Sequence, residues 1–183
     1  PHPQHGGTMN NKVVHTMFQT FVKRGFSVLR FNFRGVGRSQ GRFDNGQGEL
    51  SDAAAAIDWM QTHNANASDC WTGGFSFGAW ISMQLMMRRP EINGFISIAP
   101  PASLHDFSFL APCPSSGMII HGSTDDIIPI ESVDKLAQKV SAQKNIKIDY
   151  RVIDGGDHFF AEHIDVLSEH VEDYLDKALK TAA

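Results

Sequence analysis

The sequence predicts an α/β fold, a mostly parallel sheet with helices on both faces. Three observations carry that expectation. Short apolar runs alternate along the chain with longer segments of helical periodicity, the pattern of strand–helix–strand units. The runs are bounded by glycine, proline and asparagine, as strands buried on both faces are. The chain has 183 residues, 42% hydrophobic and 20% charged, enough for one soluble domain with its own core.

The elements follow in order. From Thr8 to Lys23, Val13, Met17, Phe18, Phe21 and Val22 recur at helical spacing, and Gly25 ends the pattern. "FSVLRFNF" (26–33) alternates and is rich in strand formers, so it is expected as a strand. "RGVGRSQGRFDNGQG" is a long glycine-rich loop. Ser51 to Thr62 reads as a helix that starts at Ser51 or Asp52. "CWTGGF" (70–75) is a short strand, and Phe77 to Arg89 a helix stopped by Pro90. "GFISIA" (94–99) and "GMIIHG" (117–122) are buried strands. Glu131 to Lys144 is a helix, "IKIDYRVI" (146–153) a strand, and Glu162 to Lys180 a last helix. No repeat, low-complexity tract or linker interrupts the chain, so residues 1–183 read as a single domain.

Composition narrows the function classes. A net charge of -4 leaves no basic footprint for nucleic acid. No apolar run approaches the roughly 20 residues of a membrane span. Two cysteines, Cys70 and Cys113, make neither a disulfide framework nor a metal spacing, which suits a reducing, cytoplasmic setting. "GVGRSQG" places Gly35, Gly37 and Gly41 one residue too far apart for a dinucleotide loop, and no helix follows it. The histidines include no H-E-x-x-H, and His158 and His163 fit one helical face poorly. No cofactor and no metal are expected.

Gly74-Phe75-Ser76-Phe77-Gly78 matches G-x-S-x-G, a pattern that chance supplies in roughly one chain of this length in twenty. Context sharpens it, because the motif needs a strand before and a helix after. A strand-to-helix turn that tight strains the serine backbone. Gly74 and Gly78 are expected to remove side chains that would collide where strand and helix close. A serine hydroxyl needs a base at neutral pH. "HGSTDDIIP" offers Asp125 and Asp126 after one later strand, and "DGGDHFF" offers His158 after the next. All lie where strands of an open sheet end, the place ligands bind. The expected site is Ser76 as nucleophile, His158 as base and Asp125 as the acid that orients it. Asp126 is expected to face solvent or cap a turn, Asp154 to shape its own turn, and Asp157 to point elsewhere. The N–H of Phe77, at the helix start, is one expected oxyanion donor.

"HPQHGG", "FNFRGVGRSQG", "GFSFGAW", "HGSTDDIIP" and "GGDHFF", in that order, resemble the α/β-hydrolase superfamily across essentially the whole chain. More narrowly they resemble predicted bacterial hydrolases near dienelactone hydrolase and small esterases. Dienelactone hydrolase carries cysteine at the nucleophile, and Ser76 departs from it towards ordinary ester cleavage. The resemblance implies a second oxyanion donor in "PHPQHGG", where the backbone N–H of His2 is the best candidate and that of Gln4 the next. It implies a sheet ordered 1-2-4-3-5-6-7-8, with residues 26–33 as the fourth strand and 70–75 as the fifth. The first three strands have no counterpart in these residues, so a gap is expected inside the sheet and the chain reads as part of a longer protein. The interval "PPASLHDFSFLAPCPSS" is too short for a lid domain, so the site is expected to be open. Phe77, Trp80, Phe107, Phe109 and Phe159 are candidates for an apolar wall. The expected partner is a small or medium ester, with no nucleic acid or membrane and a homo-oligomer allowed. An acyltransferase or peptidase using the same three residues, and a binding module on this scaffold, are the alternatives.

Overall fold

The computed structural model describes residues 1–182. Among the described residues five α-helices and four strands follow in the order α1 (Lys12–Val22), α2 (Gln47–His63), β1 (Trp71–Phe75), α3 (Phe77–Arg88), β2 (Gly94–Ile98), β3 (Gly117–Gly122), α4 (Ile130–Ser141), β4 (Ile148–Ile153) and α5 (Ile164–Ala182). The strands form one parallel sheet in the order β1-β2-β3-β4. β2 and β3 are buried at every position, as central strands covered on both faces must be.

Each face of the sheet has its own core. On one side Phe77, Ile81 and Met86 of α3 meet Leu50 and Ala53 of α2 and Val133, Leu136 and Val140 of α4. On the other, Val13, Met17 and Phe21 of α1 pack with Leu167, Val171 and Leu175 of α5 over Phe75, Ile96 and Ile120. Of the methionines at 83, 86 and 87, which lie at helical spacing, Met83 and Met86 are buried in the core and Met87 is partly buried against it.

Three expectations need correction. Residues 26–33 run as a connecting segment with no ladder, not as a strand. A strand needs a neighbour for its N–H and C=O groups, and β1 is the edge of the sheet among the described residues. A cavity of about 860 Å³ is lined by this segment and by β1. Helix α2 starts at Gln47 rather than at Ser51. The signal is Glu49, whose carboxylate accepts from the N–H groups of Asp44 and Gly46 and so closes the helix start. Arg34 then ties the glycine-rich loop to α2 with a two-pronged pair to Asp52. Lastly, a side chain at Gly78 would meet open space, whereas one at Gly74 would overlap the Gly78 carbonyl. Only Gly74 is required by the closeness of β1 and α3.

Candidate active site

Ser76 follows the last residue of β1. Its N–H donates to Ile98 O at 2.9 Å, which extends the pairing of β1 with β2 by one residue. The chain then turns into α3 with Ser76 at φ 55° and ψ -120°. A left-handed φ is unfavourable for a residue with a Cβ. It is held there by the ladder behind and the helix ahead. As the residue before α3, Ser76 occupies a capping position, yet its hydroxyl caps nothing.

The hydroxyl meets His158 instead. Ser76 Oγ lies 2.9 Å from His158 Nε2, and His158 Nδ1 lies 2.7 Å from Asp125 Oδ2. A carboxylate can only accept, so Nδ1 carries the proton and Nε2 of the neutral ring accepts from the serine. The structure thus brings together the three side chains singled out in the sequence, from loops following three strands. The Asp125 side chain is fully buried and that of His158 nearly so.

Local sequence explains how the loops meet. Strands β3 and β4 pair up to Gly122 and Ile153, so the loops after them leave side by side. Ser123 N–H donates to Ile153 O, and Thr124 donates to Gly156 O through both its N–H and its hydroxyl. A side chain at Gly122 would overlap the Gly156 carbonyl, so that crossing needs a glycine. Asp154 accepts from Ser123 Oγ, and Asp157 accepts from Ala161 N, in keeping with turn-shaping parts. Asp126 is exposed. Asp125 turns inward because its Oδ1 accepts from the N–H groups of Ile127 and Ile128, at 2.9 and 2.8 Å. Burial alone would raise its carboxyl pKa, but the hydrogen bonds from His158 and Ile128 outweigh it and hold the group below its usual range.

The N-terminal residues reach the same end of the sheet. The His2 ring sits 4.9 Å from that of Phe77, and its carbonyl accepts from the N–H groups of His5 and Gly7. The backbone N–H groups of His2 and Phe77 donate to no described residue. Gln4 N–H donates to His2 Nδ1 at 3.1 Å, which removes Gln4 as a donor. The expected apolar wall is mostly core: Phe77 and Phe107 are buried, and Trp80 stacks on His105. Phe159, 45% exposed, is the wall candidate that stands in the open beside His158. The described residues hold no cluster of metal ligands, and no helix among them is long and apolar enough to cross a membrane.

One group beside the three went unnoticed in the sequence. His121, on β3, is fully buried and stands 3.6 Å from Asp125 Oδ2. Its signal was a polar residue inside an apolar strand, four positions before the aspartate.

A family model described as X-Pro dipeptidyl-peptidase (S15 family) matches residues 2–145. The chain belongs to the S15 family. The S15 chain is also 53% identical over 179 residues to an uncharacterized protein of Rickettsia prowazekii, covering 96% of this chain and 75% of that one. Among solved structures, an Agrobacterium tumefaciens protein of unknown function, described as a candidate α/β hydrolase, is 57% identical with a TM-score of 0.97. The match covers 99% of this chain and 83% of that one. A Xanthomonas campestris protein, described as an α/β serine hydrolase without a lid, is 31% identical with a TM-score of 0.88, covering 97% and 78% of the two chains. The α/β-hydrolase superfamily that the motifs resemble is therefore the superfamily of this S15 chain.

Proposed function

We propose that this S15 chain is a serine hydrolase that cleaves carboxylic esters of small or medium acyl groups through an acyl-enzyme. The observation that carries the reading is the continuous relay from Ser76 Oγ through the His158 ring to Asp125, with links of 2.9 and 2.7 Å.

Ser76 Oγ attacks the carbonyl carbon as its proton passes to His158 Nε2. The imidazolium so formed is held by the Asp125 carboxylate. The carbonyl oxygen becomes an oxyanion that accepts from the N–H groups of Phe77 and His2, each such donor being worth about 3–4 kcal/mol at the transition state. The start of α3 adds its positive dipole end. Collapse breaks the bond to the leaving alcohol, which takes the proton from His158. Water, deprotonated by the same ring, then attacks the acyl carbon and frees Ser76. Small or medium acyl groups follow from the short stretch 100–116, which builds no lid, and from the open position of Phe159.

The S15 match favours a second reading, cleavage of an amide by the same residues. A fluorophosphonate probe comes first: labelling of Ser76, lost in Ser76→Ala and His158→Ala, supports a working nucleophile. Absence of labelling in the folded protein rejects both enzymatic readings in favour of a binding module. Turnover of short p-nitrophenyl esters against aminoacyl-proline amides then separates ester from peptide cleavage.

A further inference from the structure

His121 is a buried imidazole that the chemistry above does not use. Its Nε2 lies 2.9 Å from Ile128 O and 3.6 Å from Asp125 Oδ2. A carbonyl only accepts, so Nε2 carries a proton, directed at Ile128 O with the carboxylate oxygen alongside. Its other nitrogen, Nδ1, is buried with no hydrogen-bond partner among the described residues. A second proton there would place an unsatisfied donor and a charge in the core, which is costly. The ring is therefore kept neutral and in one tautomer. Burial acts in the same sense and outweighs the neighbouring Ile128 carbonyl and the Asp125 and Asp134 carboxylates, with His158 the other titratable group nearby.

We infer that His121 is a positioning residue that holds Asp125 in its working orientation while leaving its charge to His158. The Asp125 contacts make the case. Oδ1 is occupied by the N–H groups of Ile127 and Ile128, and Oδ2 by His158. The turn that supplies Oδ1's donors is itself tied to β3 by the bond from His121 to Ile128 O, and the same nitrogen stands 3.6 Å from Oδ2. A charged partner in that place would compete with the His158 imidazolium for the carboxylate. A neutral one, unable to take a second proton, does not. This inference rests on the relay proposed above.

The test compares His121→Phe, which keeps a ring and removes the donor, with His121→Gln, whose amide N–H reaches about where Nε2 was. In the phenylalanine variant kcat on a short ester is expected to fall roughly 10- to 100-fold, the size typical of partners that orient a reactive group from outside, with KM within about twofold. The glutamine variant is expected to recover most of that loss. A second readout needs no turnover. The far-downfield proton of His158 Nδ1–H is expected to persist in the parent and the glutamine variant and to broaden in the phenylalanine variant. Nitrogen shifts of His121 in the parent are expected to show a neutral ring protonated at Nε2. Unchanged kcat together with an unchanged downfield proton in His121→Phe would overturn the inference. So would equal losses in both variants with a matching drop in Tm, or a His121 ring that titrates in the folded protein. If the parent shows neither labelling nor turnover, the proposed function fails, and the nuclear magnetic resonance readouts still decide whether His121 holds Asp125.

Discussion

Replacing Asp125 with asparagine changes one atom and should disable the proposed relay. The amide has two ways to sit. With its oxygen in the place of Oδ1 it keeps the hydrogen bonds from Ile127 and Ile128, at 2.9 and 2.8 Å. Its NH2 then faces His158 Nδ1 and must donate to it. That forces the ring proton onto Nε2, which points at Ser76, so the ring can no longer accept the serine proton. Turning the amide round restores an acceptor for Nδ1–H but sets NH2 against two N–H groups. Two hydrogen bonds are lost at about 1–1.5 kcal/mol each, giving roughly 2–3 kcal/mol before any charge of the unsatisfied donors is counted. At about 1.4 kcal/mol per decade, that leaves the working arrangement in roughly one molecule in 30 to 150. Loss of the carboxylate's charge beside the imidazolium adds to this, so kcat for a short ester should fall by more than about 100-fold and up to about 10⁴, the loss this substitution causes in serine proteases. Asp126→Asn, on an exposed side chain, should leave kcat alone. A loss of less than about tenfold in Asp125→Asn, with His158 still protonated at Nδ1 by nitrogen shift, would refute the reasoning.

The same substitution should flatten the acid limb of stability. The folded-state pKa of Asp125 lies below its unfolded value, so its stabilisation is present above about pH 4 and is lost as acid protonates it; urea midpoints from pH 6 down to pH 3 measure this. Gly74→Ala should destabilise by about 1–3 kcal/mol, because its Cβ would overlap the Gly78 carbonyl. Gly78→Ala, in a helix with open space around it, should be neutral or stabilising by about 0.5–1 kcal/mol; thermal unfolding of the pair checks both, and equal costs would contradict the assignment. Residues 26–33 carry no ladder, so their amides should exchange fast against slow exchange in the buried β2 and β3; protection of 26–33 equal to that of β2 would contradict it.

Residues 26–33 show where pattern reading stops. Their alternation is that of a strand, but pairing depends on what lies alongside, and no local pattern encodes that. The start of α2 is hidden for the opposite reason: Gly46 and Gly48 look like loop, and only the Glu49 carboxylate reaching back to Asp44 and Gly46 reveals the helix start. Gly78 was given a steric duty by its place in a motif, and the duty belongs to Gly74 alone. His121 looks like one more residue of a buried strand, because nothing in the order of residues says that β3 will carry it to within 3.6 Å of Asp125.

By itself the sequence determined the parallel sheet with helices on both faces, the strained serine between β1 and α3, and the two later loops that offer an aspartate and a histidine. These are local or periodic properties, set by side-chain spacing and by the backbone freedom of glycine. Only the tertiary structure decided which nitrogen of each imidazole bears a proton, which aspartate turns inward, that Gln4 is already engaged, and that 26–33 lacks a ladder. Each of those depends on distances of about 3 Å between groups far apart in the chain, and such distances exist only after β3 and β4 have laid their loops across one another.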